Sequence, residues 1–260
     1  MSLNPPIRDW HGQRVWLVGA SSGIGEAVAH ALSARGAVLA LSGRRAAALD
    51  AVAEAVGGAE VLPLDISEAG AVDAAWAALG ERWGACDVVI FLAGAYRPTP
   101  AAELDAKVIR DTVSVNLSAT MAGVAAVLPA MLARGRGYVA MVSSVAGYSG
   151  LPRACVYGAT KAGLTHFAES LFLELRPRGV GVHVINPGFV DTRLTAGNDF
   201  TMPALITPAE AAEALVDGLA RGEFETHFPK RFSRVLKLLR LLPYGLYFPL
   251  VRRLTGGGRA

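Results

Sequence analysis

The chain has 260 residues, 52% hydrophobic and only 18% charged, which is ample for one large core and excludes general disorder. Two cysteines, Cys86 and Cys155, and five scattered histidines exclude a disulfide framework and offer no zinc-type ligand spacing. The net charge of +3 belongs to one end: Thr226 to Ala260 holds eight Lys/Arg and no acid, while the preceding 225 residues carry 17 basic and 22 acidic side chains. This is not the dispersed basic face of a nucleic-acid binder, and no nucleic-acid partner is expected.

The opening segment is polar and broken by Pro5 and Pro6, without the pattern of a secretory signal, so a reducing cytoplasmic location is expected. Arg14 to Ala20 then reads as a strand and Gly23 to Arg35 as a helix. Ala37 to Ser42 is a second strand, followed by an Ala-rich helix over Arg45 to Val56. Glu60 to Leu64 and Asp87 to Ala93 are further strands, with a helix between them over Ser67 to Trp83. Thr112 to Ala133 is a 22-residue run without charge, long enough to cross a bilayer. Its Ser114, Asn116, Ser118, Thr120 and Pro129, and its place between strands, favour a buried helix of a soluble fold. Strands follow at Tyr138 to Val142 and Val180 to Ile185, with a helix from Pro152 to Arg176 between them. Thr207-Pro208-Ala209-Glu210 is a capping box opening a helix to Arg221, and Glu223 to Phe228 is a last short strand.

Apolar residues at successive strand positions require a sheet covered on both faces. The class is therefore α/β: a single Rossmann-type doubly wound parallel sheet of about seven strands, with helices on both faces, over residues 1–229. Residues 230–260 form a separate basic extension.

The first strand runs straight into Gly19-Ala20-Ser21-Ser22-Gly23-Ile24-Gly25. Gly19 allows a tight exit, Gly23 lets backbone amides approach a pyrophosphate, and Gly25 lets helix and strand pack closely, with the phosphates on the helix N-terminus. The spacing G-x-x-x-G-x-G departs from the usual dinucleotide pattern, and an ordinary tight turn also uses such glycines. An NAD site usually has an acid at the end of the second strand, where this chain has Ser42-Gly43-Arg44-Arg45. A guanidinium there pairs with a 2′-phosphate. NADP(H) is expected over NAD(H), with Arg44 as the clamp and Ser21 and Arg45 as helpers; a solvated helix start is the plainer alternative.

Ser143-Ser144 ends a strand, and Tyr157 and Lys161 share one face of the next helix. A cation about 4 Å from a phenol at an effective dielectric of about 20 is worth roughly 4 kcal/mol, about three pK units. Burial opposes this, and the expectation is a net downward shift for Tyr157. Ser144 then hydrogen-bonds the oxygen where charge develops.

Gly19, Gly23 and Gly25, then Leu92-Ala93-Gly94, Asn116, Ser144, Tyr157, Lys161 and Asn186-Pro187-Gly188 with Thr192 resemble the short-chain dehydrogenase/reductase family in order and approximate spacing, over about residues 10 to 229. The resemblance implies that Tyr157 is the acid/base, that Ser144 orients the carbonyl, and that Lys161 holds the nicotinamide ribose. It implies that Asn116 supports a proton relay through Lys161. It further implies cofactor contacts from Ser21, Ser22, Ile24, Asp65, Ile66, Ala93, Gly94, Pro187, Gly188, Val190 and Thr192, and a homodimer or homotetramer. Val18 and Phe91-Leu92 depart from the family's common Thr and paired Asn.

The loop from Gly188 to Thr207, with Phe189, Leu194, Phe200, Met202, Leu205 and Ile206, is apolar, and Tyr148, Leu151 and Arg153 add a second wall. A small lipophilic carbonyl or alcohol substrate is expected, although such residues also serve merely to cover a core. In the extension, Lys230 to Leu242 makes an amphipathic helix. Its basic residues take one half of the circumference, Phe232, Val235, Leu236, Leu239 and Leu242 the other, and Leu238 and Leu241 intrude on the basic side. In-plane attachment to an anionic membrane through residues 230–253 would make the protein peripheral. Packing on a sister subunit or over the pocket is the alternative. The competing function is a non-catalytic, nucleotide-responsive membrane or interaction module on the same fold, which has no need of the Ser144, Tyr157 and Lys161 set.

Overall fold

The computed structural model describes residues 2–255. Seven strands, β1 (Arg14–Val18), β2 (Val38–Gly43), β3 (Glu60–Pro63), β4 (Val88–Phe91), β5 (Gly137–Val142), β6 (Val180–Pro187) and β7 (Glu225–Phe228), form one sheet in the order β3-β2-β1-β4-β5-β6-β7. Every neighbouring pair is parallel, as expected. The helices are α1 (Gly23–Ser33), α2 (Ala46–Ala55), α3 (Ala71–Trp83), α4 (Ala106–Val113), α5 (Ala119–Arg134), α6 (Cys155–Leu175), α7 (Pro208–Ala220), α8 (Lys230–Arg240) and α9 (Tyr244–Leu254).

Strand side chains alternate between faces, and both faces are dry. Val15, Leu17, Val88 and Ile90 join one core cluster with residues of α1, α2 and α7. Trp16, Val18, Val89 and Phe91 join the other, with residues of α3, α5 and α6. Each fully buried aliphatic or aromatic side chain stabilises the fold by about 1.5–3 kcal/mol, so a one-residue slip of any central strand is strongly disfavoured.

Two expectations change. The third helix starts at Ala71 rather than Ser67, because the Asp65 carboxylate accepts from the amide (2.9 Å) and hydroxyl (2.6 Å) of Ser67 and holds a turn there. The uncharged helix is longer and less enclosed than expected. It runs continuously from Ala106 to Arg134, and only 39% of its most apolar stretch is buried. Val124, Val127 and Met131 cover the sheet, while Ser118, Ala122 and Ala125 face out. A π-helical turn, Ser114–Ser118, interrupts it at Asn116. The apolar side of the extension takes one of the two placements weighed for it and folds back on the domain: Phe232, Leu236 and Leu239 of α8 pack on Val145 and Tyr148, which follow β5. Residues 256–260 of the extension, Arg259 among them, lie outside the described residues.

Candidate active site

The sheet order reverses between β1 and β4, so the loops leaving these strands diverge and open a crevice at their C-terminal ends. The amides of Leu92 and Ala93 both donate to the Val18 carbonyl (2.7 and 2.9 Å), pinning the exit of β4 to that of β1. Gly19 turns at φ +108°, and a Cβ there would fall 2.4 Å from the Ala93 nitrogen. A Cβ on Gly25 would fall 2.1 Å from the Gly19 carbonyl oxygen, the close helix–strand packing expected of it. Gly23 has φ +63° and faces the Thr192 methyl, which brings the loop after β6 onto the glycine turn. Ser22 opens α1 without spending its side chain on the first-turn amides.

At the end of β2, Arg44 is exposed, and its charge helps to hold the Asp65 carboxyl below its usual range, after the two Ser67 hydrogen bonds that dominate the shift. Arg45 is engaged instead, donating to the carbonyl (2.8 Å) and hydroxyl (3.2 Å) of Ser21. The Ile66 side chain is spent on the core.

Ser144, Tyr157 and Lys161 meet on one cavity of about 760 Å³. Ile24, Gly94, Pro187, Gly188, Val190 and Thr192 line it too, whereas Gly19, Ser21, Ser22, Gly23, Gly25, Arg44, Asp65, Ile66 and Ala93 are not among its walls and belong to the β1–β4 side of the crevice. Asn116 is buried in the π-turn and clamps Ala95: its Oδ1 accepts from the Ala95 amide and its Nδ2 donates to the Ala95 carbonyl, both at 2.7 Å. A Cβ on Gly94 would stand 3.5 Å from Asn116 Oδ1 and 3.7 Å from Lys161 Nζ, so the three converge. Ser144 accepts from the Ala146 amide (3.1 Å) and directs its own proton weakly to the Pro187 carbonyl (3.4 Å). Ser143 Oγ donates to the Lys161 carbonyl at 2.7 Å, tying the end of β5 to α6.

The electrostatics correct the expectation for Tyr157. Burial pushes its phenol up to about 12, outweighing the Ser144 hydrogen bond that favours the ionised form. The lysine does not act as supposed, because its Nζ donates to the Val142 carbonyl at 2.8 Å and lies 5.7 Å from the centre of the Tyr157 ring. Burial in turn lowers Lys161 to about 8. The phenol is therefore protonated at neutral pH. The departure at Phe91 has a packing reason: its ring fills the place where a Cβ on Gly123 of α5 would fall, 2.5 Å away.

Of the expected substrate residues, Phe189, Leu194, Phe200, Leu151 and Arg153 line the cavity. Met202, Leu205, Ile206 and Tyr148 do not: Ile206 packs on the core, Leu205 is exposed, and the Met202 sulfur accepts from Asn198. Tyr148 is buried under α8 and donates to Glu225 Oε1 at 2.5 Å. Sequence reasoning missed Tyr96, whose ring meets that of Tyr157 edge-on at 4.8 Å, and most of the far wall, formed by Phe232, Val235, Leu236, Leu239, Val251 and Leu254. It also missed Glu225, which accepts from Asn186 at 2.9 Å and pairs with Lys237 of α8. The one available signal for this anchor was a carboxylate in the last strand facing a run of cations.

The described geometry can position a carbonyl oxygen between the Ser144 and Tyr157 hydroxyls in a mostly apolar chamber. Residues 13–201 match the family model described as short chain dehydrogenase. An uncharacterized oxidoreductase of Myxococcus xanthus is 38% identical over 242 residues, covering 92% of this chain and 96% of that protein. A short-chain dehydrogenase from Streptomyces avermitilis superposes with a TM-score of 0.79 at 26% identity, covering 95% of this chain and 99% of its own. One from Sphingobium yanoikuyae, solved in complex with NADPH, gives 0.78 at 29% identity, over 89% and 97%.

Proposed function

Because the chain belongs to the short-chain dehydrogenase/reductase family, an NAD(P)-dependent oxidoreductase family with this fold, we propose that it interconverts a lipophilic ketone or aldehyde and the corresponding alcohol with NADP(H) as the preferred coenzyme. The observation that carries this reading is the convergence of Ser144, Tyr157 and Lys161 on a cavity whose remaining walls are largely apolar. The residues fit a dinucleotide. The turn at Gly19 and Gly23 is open-backed, the first-turn amides of α1 have no side-chain cap, and Gly94 leaves a slot beside Asn116 and Lys161. Gly19, Ser21, Ser22, Gly23, Ile24 and Gly25 would hold the pyrophosphate end, Asp65, Ile66 and Ala93 the adenine side, and Pro187, Gly188, Val190 and Thr192 the nicotinamide end. When bound, the nicotinamide supplies or takes up the hydride.

The chain's own part is positioning and proton transfer. In the reducing direction Tyr157, protonated because it is buried, donates to the substrate oxygen, and Ser144 donates a hydrogen bond to the same atom as charge develops. Lys161 replaces the proton from inside the cleft, and Asn116 fixes the backbone at Ala95, next to Gly94, whose missing side chain leaves room beside the lysine. The exposed guanidinium of Arg44, with no carboxylate at the end of β2, supports a 2′-phosphate contact, while Arg45 braces the Ser21 turn.

The direct test follows coenzyme absorbance with a series of hydrophobic ketones and alcohols, using each nicotinamide coenzyme. Turnover with NADPH and chain-bearing ketones is expected; failure with all carbonyls under both coenzymes rejects the reading. In the same assay Arg44→Ala raises KM for NADPH about tenfold or more and leaves NADH nearly unaffected, the loss of one charge-assisted contact to phosphate. Equal losses for the two coenzymes reject Arg44 as the discriminating residue.

A further inference from the structure

We infer that the outer surface of α8 and α9 docks on an anionic membrane, so that the apolar mouth of the cavity opens against lipid. The substrate's route rests on the function proposed above, whereas the docking does not.

The apolar stripe that makes α8 amphipathic is already used: Phe232, Leu236 and Leu239 face Val145, Tyr148 and the cavity. What remains outside is a different set. At about 100° per residue, Lys230, Arg231, Arg234, Leu238 and Leu241 fall within roughly 100° of arc on the solvent side, so cations and leucines interleave on one strip. Leu238 is 65% exposed and Leu241 79%. On α9, Tyr244 (75%), Leu246 (60%) and Phe248 (55%) are exposed as well, and the rings of Tyr244 and Phe248 stack at 5.3 Å. Tyr247, by contrast, points inward and donates to Ser149 (2.9 Å) and to the Gly150 carbonyl (2.5 Å), fixing α9 on the loop after β5.

Exposed leucines and aromatics held rigidly at the surface among cations match the interface of a bilayer bearing negative headgroups. From Thr226 onward the chain has no acid. Among the described residues, Lys237 is the one cation of this segment in an ion pair, and its partner is the inward-facing Glu225. A second copy is the other candidate occupant. A two-fold self-contact through this surface would set Arg231 and Arg234 of α8 and Arg252 and Arg253 of α9 near their own images, without a carboxylate from the same segment to neutralise them. The charge favours lipid. Val235 and Leu254 on these same helices line the cavity and are exposed, as are Leu194 and Phe200, so the docking helices themselves carry part of the apolar rim.

The test is sedimentation of the full chain with phosphatidylcholine vesicles, with and without phosphatidylglycerol. Binding is expected only to the anionic vesicles, and it should weaken as salt rises. The variant Leu241→Gln/Phe248→Gln, changed at exposed positions only, should partition at least about tenfold less. Arg231→Glu/Arg234→Glu is an independent second variant, and a thermal melt of each establishes that the fold is retained. No binding to either vesicle, equal binding to both, or unchanged partition of two folded variants overturns the proposal. An oligomer that the glutamine variant dissociates, without vesicle binding by the parent chain, assigns the surface to a second copy. Vesicle binding without carbonyl turnover would reject the proposed function and leave the docking intact.

Discussion

Replacing Tyr157 by Phe lowers turnover of any carbonyl substrate by roughly 100- to 10,000-fold, the usual contribution of a positioned acid, while coenzyme binding and melting temperature stay close to those of the parent chain. The phenol is half-buried on the cavity wall, and its ring has an edge contact with Tyr96 that Phe retains. Only the hydroxyl is lost, together with its place beside Ser144. Steady-state kinetics with a fluorescence titration of NADPH separates the two effects. Undiminished turnover would remove Tyr157 from the chemistry.

The same group fixes the direction of the pH dependence. Burial holds Tyr157 protonated up to about 12, and Lys161, lowered to about 8, is charged at neutral pH and neutral above that value. Carbonyl reduction, which needs the protonated pair, should be level up to about pH 8 and decline beyond it. Alcohol oxidation needs the phenolate and should climb over the same range. Rate profiles in both directions check this, and parallel profiles contradict it.

Glu225→Ala is the second large effect, expected to cost about 2–4 kcal/mol of stability and to raise KM for a lipophilic substrate several-fold. Burial pushes this carboxyl upward, but hydrogen bonds from Lys237, Tyr148 and Asn186 outweigh it, and the net shift is below the ordinary 4.5. A depressed carboxylate contributes stability that is complete above 4.5 and is lost as pH falls below that value. Removing it strands the buried Tyr148 hydroxyl and Asn186 amide and releases Lys237, the tether of α8. Because Phe232, Leu236 and Leu239 on that helix line the cavity, loosening it changes the substrate's wall as well as the melt. Thermal unfolding and KM together test this; a variant unchanged in both refutes the tether.

Little of the sheet was hidden in the amino-acid order. Runs such as Val88 to Phe91 are apolar at every position because both faces are covered, and that alone implied a parallel sheet with helices on either side. Helix starts were less secure: the third helix was expected from Ser67, but the hydroxyl and amide of Ser67 both go to Asp65, and the helix waits until Ala71. The long uncharged segment read as buried from its polar residues and its place between strands, but its small residues carry no sign of which side they face. Ala122 and Ala125 face out, and Gly123 between them is packed against Phe91.

Tyr157 and Lys161 share a helix face through their spacing, and Ser144 stands at a strand end, so with the surrounding motifs the proposed catalytic set was legible before any fold was known. Their ionisation was not, because a pKa depends on burial and on where Lys161 Nζ points, and that is toward Val142. The far wall of the cavity was equally invisible, since Leu236 meets Tyr148 only after α6, β6, α7 and β7 have extended the sheet to its edge and α8 has turned back toward β5. The amino-acid sequence by itself determined the periodicities, the glycine turn and the reactive groups, all of which are local along the chain. Only the tertiary structure decided which apolar side of the basic helix is spent on the pocket and which is left outside, because burial is a property of contacts between distant segments.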